Sequence, residues 1–65
     1  MTVDQINRRV AEIALVADDP EMAHAEEDDL HREVLRAIAD GAPDAAALAE
    51  AALATVPLEF ARWYA

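Results

Sequence analysis

The amino-acid sequence predicts an all-α fold: a small bundle of three helices, at about 3–17, 20–40 and 44–56, followed by a C-terminal aromatic tail, in one helical domain spanning 1–65. Three observations lead there. Apolar residues recur at intervals of three and four in the first two stretches, the third stretch is dominated by alanine, and proline or glycine marks each junction.

Thr2-Val3-Asp4-Gln5 has the spacing of a capping box, in which a threonine hydroxyl accepts from an early N–H and the glutamine reaches back to the cap. Val3, Ile6, Val10, Ile13 and Ala17 then form a seam of two heptads, with Asp4, Asn7, Arg8, Arg9 and Glu12 outside it and Leu15 and Val16 off it. The first reading is an amphipathic helix packed on its own chain. A dimer seam is the second, and two heptads are too short to establish one.

Asp18-Asp19-Pro20 closes helix 1 and opens helix 2, because proline biases its predecessor away from helical geometry and is itself comfortable at the first helical position. So short a connection implies an antiparallel hairpin. Helix 2 is punctuated at both ends, with Asp19 as cap and Gly41 as terminator. On a helical wheel Ala23, Leu30, Val34, Leu35 and Ile38 share one side; Glu27 and His31 fall among them, with His24 at the edge. Acids crowd its first half while Arg32 and Arg36 follow, which complements the helix dipole, and Asp28 with Arg32 makes a pair four apart. The outer acids Glu21, Asp28, Asp29 and Glu33 read as a solvated face.

After Gly41, Ala42-Pro43-Asp44 begins the third helix, whose inward face is Ala45, Leu48, Ala49, Ala52, Leu53 and Val56, and Pro57 stops it. The final PLEFARWYA holds every aromatic residue: Phe60, Trp63 and Tyr64. One helical turn would place the three rings on one side and an extended tail would split them. Each ring can bury on the order of 150 to 250 Å². A tail folded back on the helices is therefore preferred to an exposed peptide used to capture a partner.

Alanine supplies 17 of the 36 apolar residues that make up 55% of the chain, so only 19 larger apolar side chains are available for a core. A domain this small gains little net stability from its core alone, and there is no cysteine to form a disulfide. Self-association is the natural supplement, with a metal or a host partner behind it. Fourteen acids face five arginines and no lysine, for a net charge of −9. That sign disfavours direct binding of nucleic acid or of an anionic membrane. No apolar run approaches the roughly 20 residues of a membrane span, and the first residues lack a signal peptide's basic start and apolar core, so a cytoplasmic location is expected.

His24, Glu27, Asp28 and His31 form H-x-x-E-D-x-x-H on one helix, where neighbouring imidazole and carboxylate groups could share a divalent metal. The two histidines are about 10 Å apart along the axis, too far to ligate one ion together, so a symmetry mate would have to complete the site. Acid–base work by Glu27 with a histidine is conceivable. Yet serine and cysteine are absent, Thr2, Thr55 and Tyr64 are the only hydroxyls, and so short a chain can hardly enclose a substrate pocket. The expectation is a protein that is not an enzyme and holds neither cofactor nor metal; the absence of a glycine-rich loop removes the nucleotide-binding motifs. The preferred reading is structural: a buried Glu27 needs donors, and the tail offers Arg62 and the Trp63 indole. Glu27, helped by His24 or Asp28, would then anchor the returning tail or a second subunit.

Asp19, Pro20, Glu21, Ala23, His24, Glu27, Asp28 and Leu30, then Val34, Leu35, Ile38, Ala39 and Gly41, then Phe60 to Ala65 carry a pattern D-P-E-x-A-H-x-x-E-D-x-L, V-L-x-x-I-A-x-G, F-x-R-W-Y-A. This resembles small helical proteins of unassigned function from actinobacteriophages and actinobacterial genomes. The resemblance covers about the last 47 residues and implies a small accessory phage protein in the host cytoplasm, with no catalytic residues to transfer. The expected work is protein–protein interaction, by self-association and with a phage or host protein, with Phe60, Trp63, Tyr64, Asp29 and Glu33 as candidate contact residues. Two alternatives compete: an acidic DNA mimic that occupies a host protein's basic groove, and a divalent-metal-binding helical protein using His24, Glu27, Asp28 and His31.

Overall fold

A computed structural model describes residues 1–62. Trp63 and Tyr64, and the expectations that rest on them, lie outside the described residues. The described secondary structure is helical: α1 (Val3–Leu15), α2 (Pro20–Ala39) and α3 (Ala45–Ala52), the last tightening into a 3-10 turn at Leu53–Thr55.

The ends of the helices follow from their caps. Thr2 Oγ1 accepts from the Gln5 N–H at 3.2 Å while Gln5 Oε1 accepts from the Thr2 N–H at 2.9 Å, so both halves of the capping box are present. Asp19 Oδ1 accepts from the Met22 N–H at 3.2 Å, with Pro20 as the first residue of α2. At the other end of α2 the Gly41 N–H reaches the Ile38 carbonyl (3.0 Å) and the Ala42 N–H the Ala37 carbonyl (3.1 Å), the paired bonds of a Schellman motif. Gly41 takes the φ of +94° that this termination needs. A Cβ added there meets no atom within 4 Å, so Gly41→Ala changes only the backbone. It is expected to lower stability by about 1 kcal/mol, read as a lower urea midpoint at unchanged slope. Asp44, in contrast, precedes α3 without a side-chain cap bond.

The three helices each contact the other two. Ile6 and Ile13 of α1, Ala23, Leu30 and Val34 of α2, and Leu48 and Ala52 of α3 are buried in one cluster, and Val3, Val10, Ile38, Leu58 and Phe60 pack against it. Alanine at 23 and 52 lets the helices approach closely where larger side chains would hold them apart. The α1 seam thus faces its own chain. Arg9 projects beside it and donates to Glu33 Oε2 of α2 at 2.8 Å.

Three aliphatics expected inside lie outside: Leu35 is 64% exposed, Leu53 62% and Val56 61%. Leu35 sits at the margin of the α2 wheel, beyond the arc that α1 and α3 cover. Leu53 likewise lies at the edge of the α3 wheel, about 100° from buried Ala52, and for Val56 the reason is the change of winding. In a 3-10 turn residues three apart eclipse, so Thr55 stacks under buried Ala52 while Val56 follows Leu53 on the outside. The third helix therefore ends earlier than expected, and helix 1 likewise stops at Leu15 instead of 17, running into turns through Asp18.

Beyond the 3-10 turn, residues 59–62 adopt no regular structure. Leu58 and Phe60 nevertheless pack against the core and Arg62 points at α2, while Glu59 between them is exposed. Alternate residues facing inward is the pattern of extended chain.

Candidate functional site

Glu27 lies on the buried arc of α2, one turn after Ala23 and one before Leu30 and His31, and only 7% of its side chain is exposed. A carboxylate so placed must find charged donors or become protonated. Arg62 supplies them: Nε donates to Oε1 at 2.8 Å and Nη2 to Oε2 at 3.0 Å, a two-point guanidinium–carboxylate pair. Arg62 Nη2 also donates to the Thr55 carbonyl at 3.0 Å, and its guanidinium carbon lies 3.9 Å from the centre of the Phe60 ring. One side chain of the tail therefore ties α2 and the 3-10 turn together across 35 positions of sequence.

Thr55 is the second member of this centre. Its hydroxyl is fully buried, donates to the Ala52 carbonyl at 3.2 Å, and lies 3.0 Å from His31 Nε2. His31 Nε2 is also 3.3 Å from the Ala52 carbonyl. A carbonyl only accepts, so this placement fits the tautomer with the proton on Nε2. The last carbonyls of α3 and its 3-10 turn take side-chain partners. His31 and Thr55 lie on the Ala52 carbonyl, and the Leu58 N–H and Arg62 donate to that of Thr55. Among the described residues no buried side-chain nitrogen or oxygen lacks a hydrogen bond.

Burial pushes the Glu27 carboxyl upward, but the hydrogen bonds from Arg62, with the neighbouring Thr55 hydroxyl and the proximity of Arg62 and His31 behind them, outweigh it, so the net direction is below the ordinary carboxylate range. The Arg62 guanidinium is correspondingly raised, chiefly through its hydrogen bond to Glu27. Glu27 is thus held ionised with both oxygens already engaged. That arrangement positions an arginine.

The other candidate residues are distributed differently. His24 Nε2 lies 3.6 Å from Asp28 Oδ2 on the next turn, and beside Glu27 the Thr55 and His31 side chains add to the hold of Arg62. Asp28 does not lie against Arg32, whose partner is Asp29 at 3.4 Å, on a largely exposed surface. Glu33 belongs to the Arg9 pair, which lowers its pKa through that hydrogen bond and raises that of Arg9. Among the described residues no three histidine or acidic side chains converge as a metal site requires. No described helix is long and apolar enough to cross a membrane.

Sequence reasoning missed Thr55. The signal was there: it lies three residues after Ala52 and seven after Leu48, on their side of the wheel, and it precedes Pro57 by two. A hydroxyl at that place is suited to a helix end that must satisfy its own carbonyls.

A second feature lies beside this centre. His31, Val34, Leu35, Ile38, Ala49, Ala52 and Leu53 line a shallow groove between α2 and α3. It is apolar but for His31, in a chain of net charge −9. Comparisons with protein-family models, with curated proteins and with solved structures find no match for this chain.

Proposed function

We propose that the protein is a small acidic accessory factor, of the phage-encoded kind its sequence resembles, that acts in the host cytoplasm by protein–protein contact and not by catalysis. Its first partner is a second copy of itself; a phage or host protein is the further one. The observation that carries this reading is the face formed by Leu35 and Leu53 with neighbouring Val56, left open although the chain has so few large apolar residues to bury. A stripe of aliphatics free of acids is a surface on which two chains of the same sign can meet, because charge is absent from the contact and remains at its rim. The groove is too shallow and too poor in polar groups to orient a small substrate.

Contact through apolar residues is favoured over mimicry of DNA, since Glu33 and Asp29, two of the acids such mimicry would use, each lie beside an arginine. Leu35→Asp tests the proposal. The side chain is largely in water, so the variant is expected to keep its helical circular dichroism while its light-scattering mass falls from a dimer or larger assembly to a single chain. A wild-type chain that is monomeric at every concentration up to the millimolar range removes the self-association half. The same variant used as bait in a host lysate decides the other half: a captured protein that binds wild type and Leu35→Asp equally is not held by this face.

A further inference from the structure

We propose that the Glu27 carboxylate and the Thr55 carbonyl form a guanidinium-binding site that takes the Arg62 of a second copy in place of the chain's own, so that residues 58–62 are exchanged between two chains. This rests on the self-association reading and names the residue that the second copy contributes.

The first support is the way the segment is held. The Leu58 N–H to Thr55 carbonyl bond is the last backbone–backbone hydrogen bond among the described residues. Beyond it, among the described residues, the segment is attached through side chains: Leu58 and Phe60 on the core, Arg62 on Glu27 and Thr55. Such a strap makes the same contacts whichever chain supplies it, which is the condition for exchange of an element between identical subunits.

The hinge supplies the second support. Val56 precedes Pro57, and the residue before a proline favours extended backbone. Here it is helical, at φ −56° and ψ −44°, and that bend is what returns the segment onto its own bundle. In the extended alternative the segment leaves its bundle and carries Phe60 and Arg62 outward. Val56 and Leu53, exposed in the closed form, stand at that hinge.

Charge agrees with both. Two chains of −9 repel, yet the exchanged contact sets one cation on one buried anion. The site is also selective by shape. Two parallel bonds to a carboxylate plus a third to a carbonyl match a guanidinium and cannot be met in the same geometry by an ammonium.

Mixing two complementary variants tests the exchange. Arg62→Ala keeps the site and lacks the arginine; Glu27→Ala keeps the arginine and lacks the site. Neither alone can form the pair in any arrangement, whereas an exchanged heterodimer regains one pair. The mixture is expected to show a dimer mass and a melting midpoint roughly 5 to 10 °C above either component. Where a component is unfolded alone, recovery of helical circular dichroism on mixing reads the same result. Ethylguanidinium, compared with ethylammonium at equal concentration, should raise the midpoint of Arg62→Ala and leave Glu27→Ala unmoved. A mixture that behaves as the sum of its parts, beside a wild type that is dimeric, overturns the exchange and leaves self-association standing. The same sum beside a monomeric wild type overturns both.

Discussion

Replacing Arg62 with alanine is expected to lower the stability of the fold by about 3 kcal/mol, the lower end of the range for breaking a buried ion pair because the guanidinium itself is a third exposed. The loss arises at Glu27, which stays buried with its strongest donors gone. Its pH dependence is the sharper signature. In wild type the carboxyl is held below its ordinary value, so its contribution is fully present above the unfolded value of about 4.3 and is lost as pH falls through the folded one. Without Arg62, burial acts with far less opposition and the folded value rises above the unfolded one. The variant's deficit should then be smallest in acid and should grow as pH rises from about 4 toward 7. Subtracting the two curves removes the other thirteen acids, which both proteins share. Replacing Glu27 and Arg62 together by methionine should recover most of the loss, since two apolar side chains of similar volume leave no charge unpaired. Melting curves for wild type and Arg62→Ala that stay parallel between pH 4 and 7 would show that the pair does not hold the carboxylate.

Much of this centre could be read from composition before any coordinates. Glu27 falls on the apolar side of the α2 wheel, and a carboxylate there must be supplied with donors; the tail's Arg62 is the side chain that reaches it. The capping residues Thr2, Gln5, Asp19 and Gly41 are legible for the same reason, since unpaired backbone groups at helix ends admit few solutions. What the sequence hid depends on tertiary contact. A wheel reports which residues share a side but not how wide an arc the neighbours cover, and with two covering helices Leu35 lies beyond that arc. The alanine-rich third segment reads as one uninterrupted helix, so the shift to 3-10 winding, which turns Thr55 inward and Val56 outward, is not visible in it. Asp28 had a choice of partners within one turn, and spacing alone cannot decide between Arg32 and His24.

Leu30 and Leu35 make the second large prediction, because the same wheel places them on one side and the structure separates them. Leu30 is fully buried between helices, whereas Leu35 is mostly in water. Leu30→Ala is expected to cost about 2 to 5 kcal/mol from lost burial and the cavity left behind. A domain of this size has about 3 to 5 kcal/mol from its core to lose. Dilute Leu30→Ala should therefore be largely unfolded at 25 °C by far-ultraviolet circular dichroism. Leu35→Ala should stay within about 0.5 kcal/mol of wild type in the same dilute solution. Concentration then separates the two further. If a second copy covers Leu35, wild type gains stability with concentration and Leu35→Ala gains less, by mass action on the assembled form. A dilute Leu30→Ala melting within a degree or two of wild type would mean that the buried cluster around Leu30, Ile13 and Leu48 is not what holds the three helices together, and the packing described for α2 would have to be abandoned.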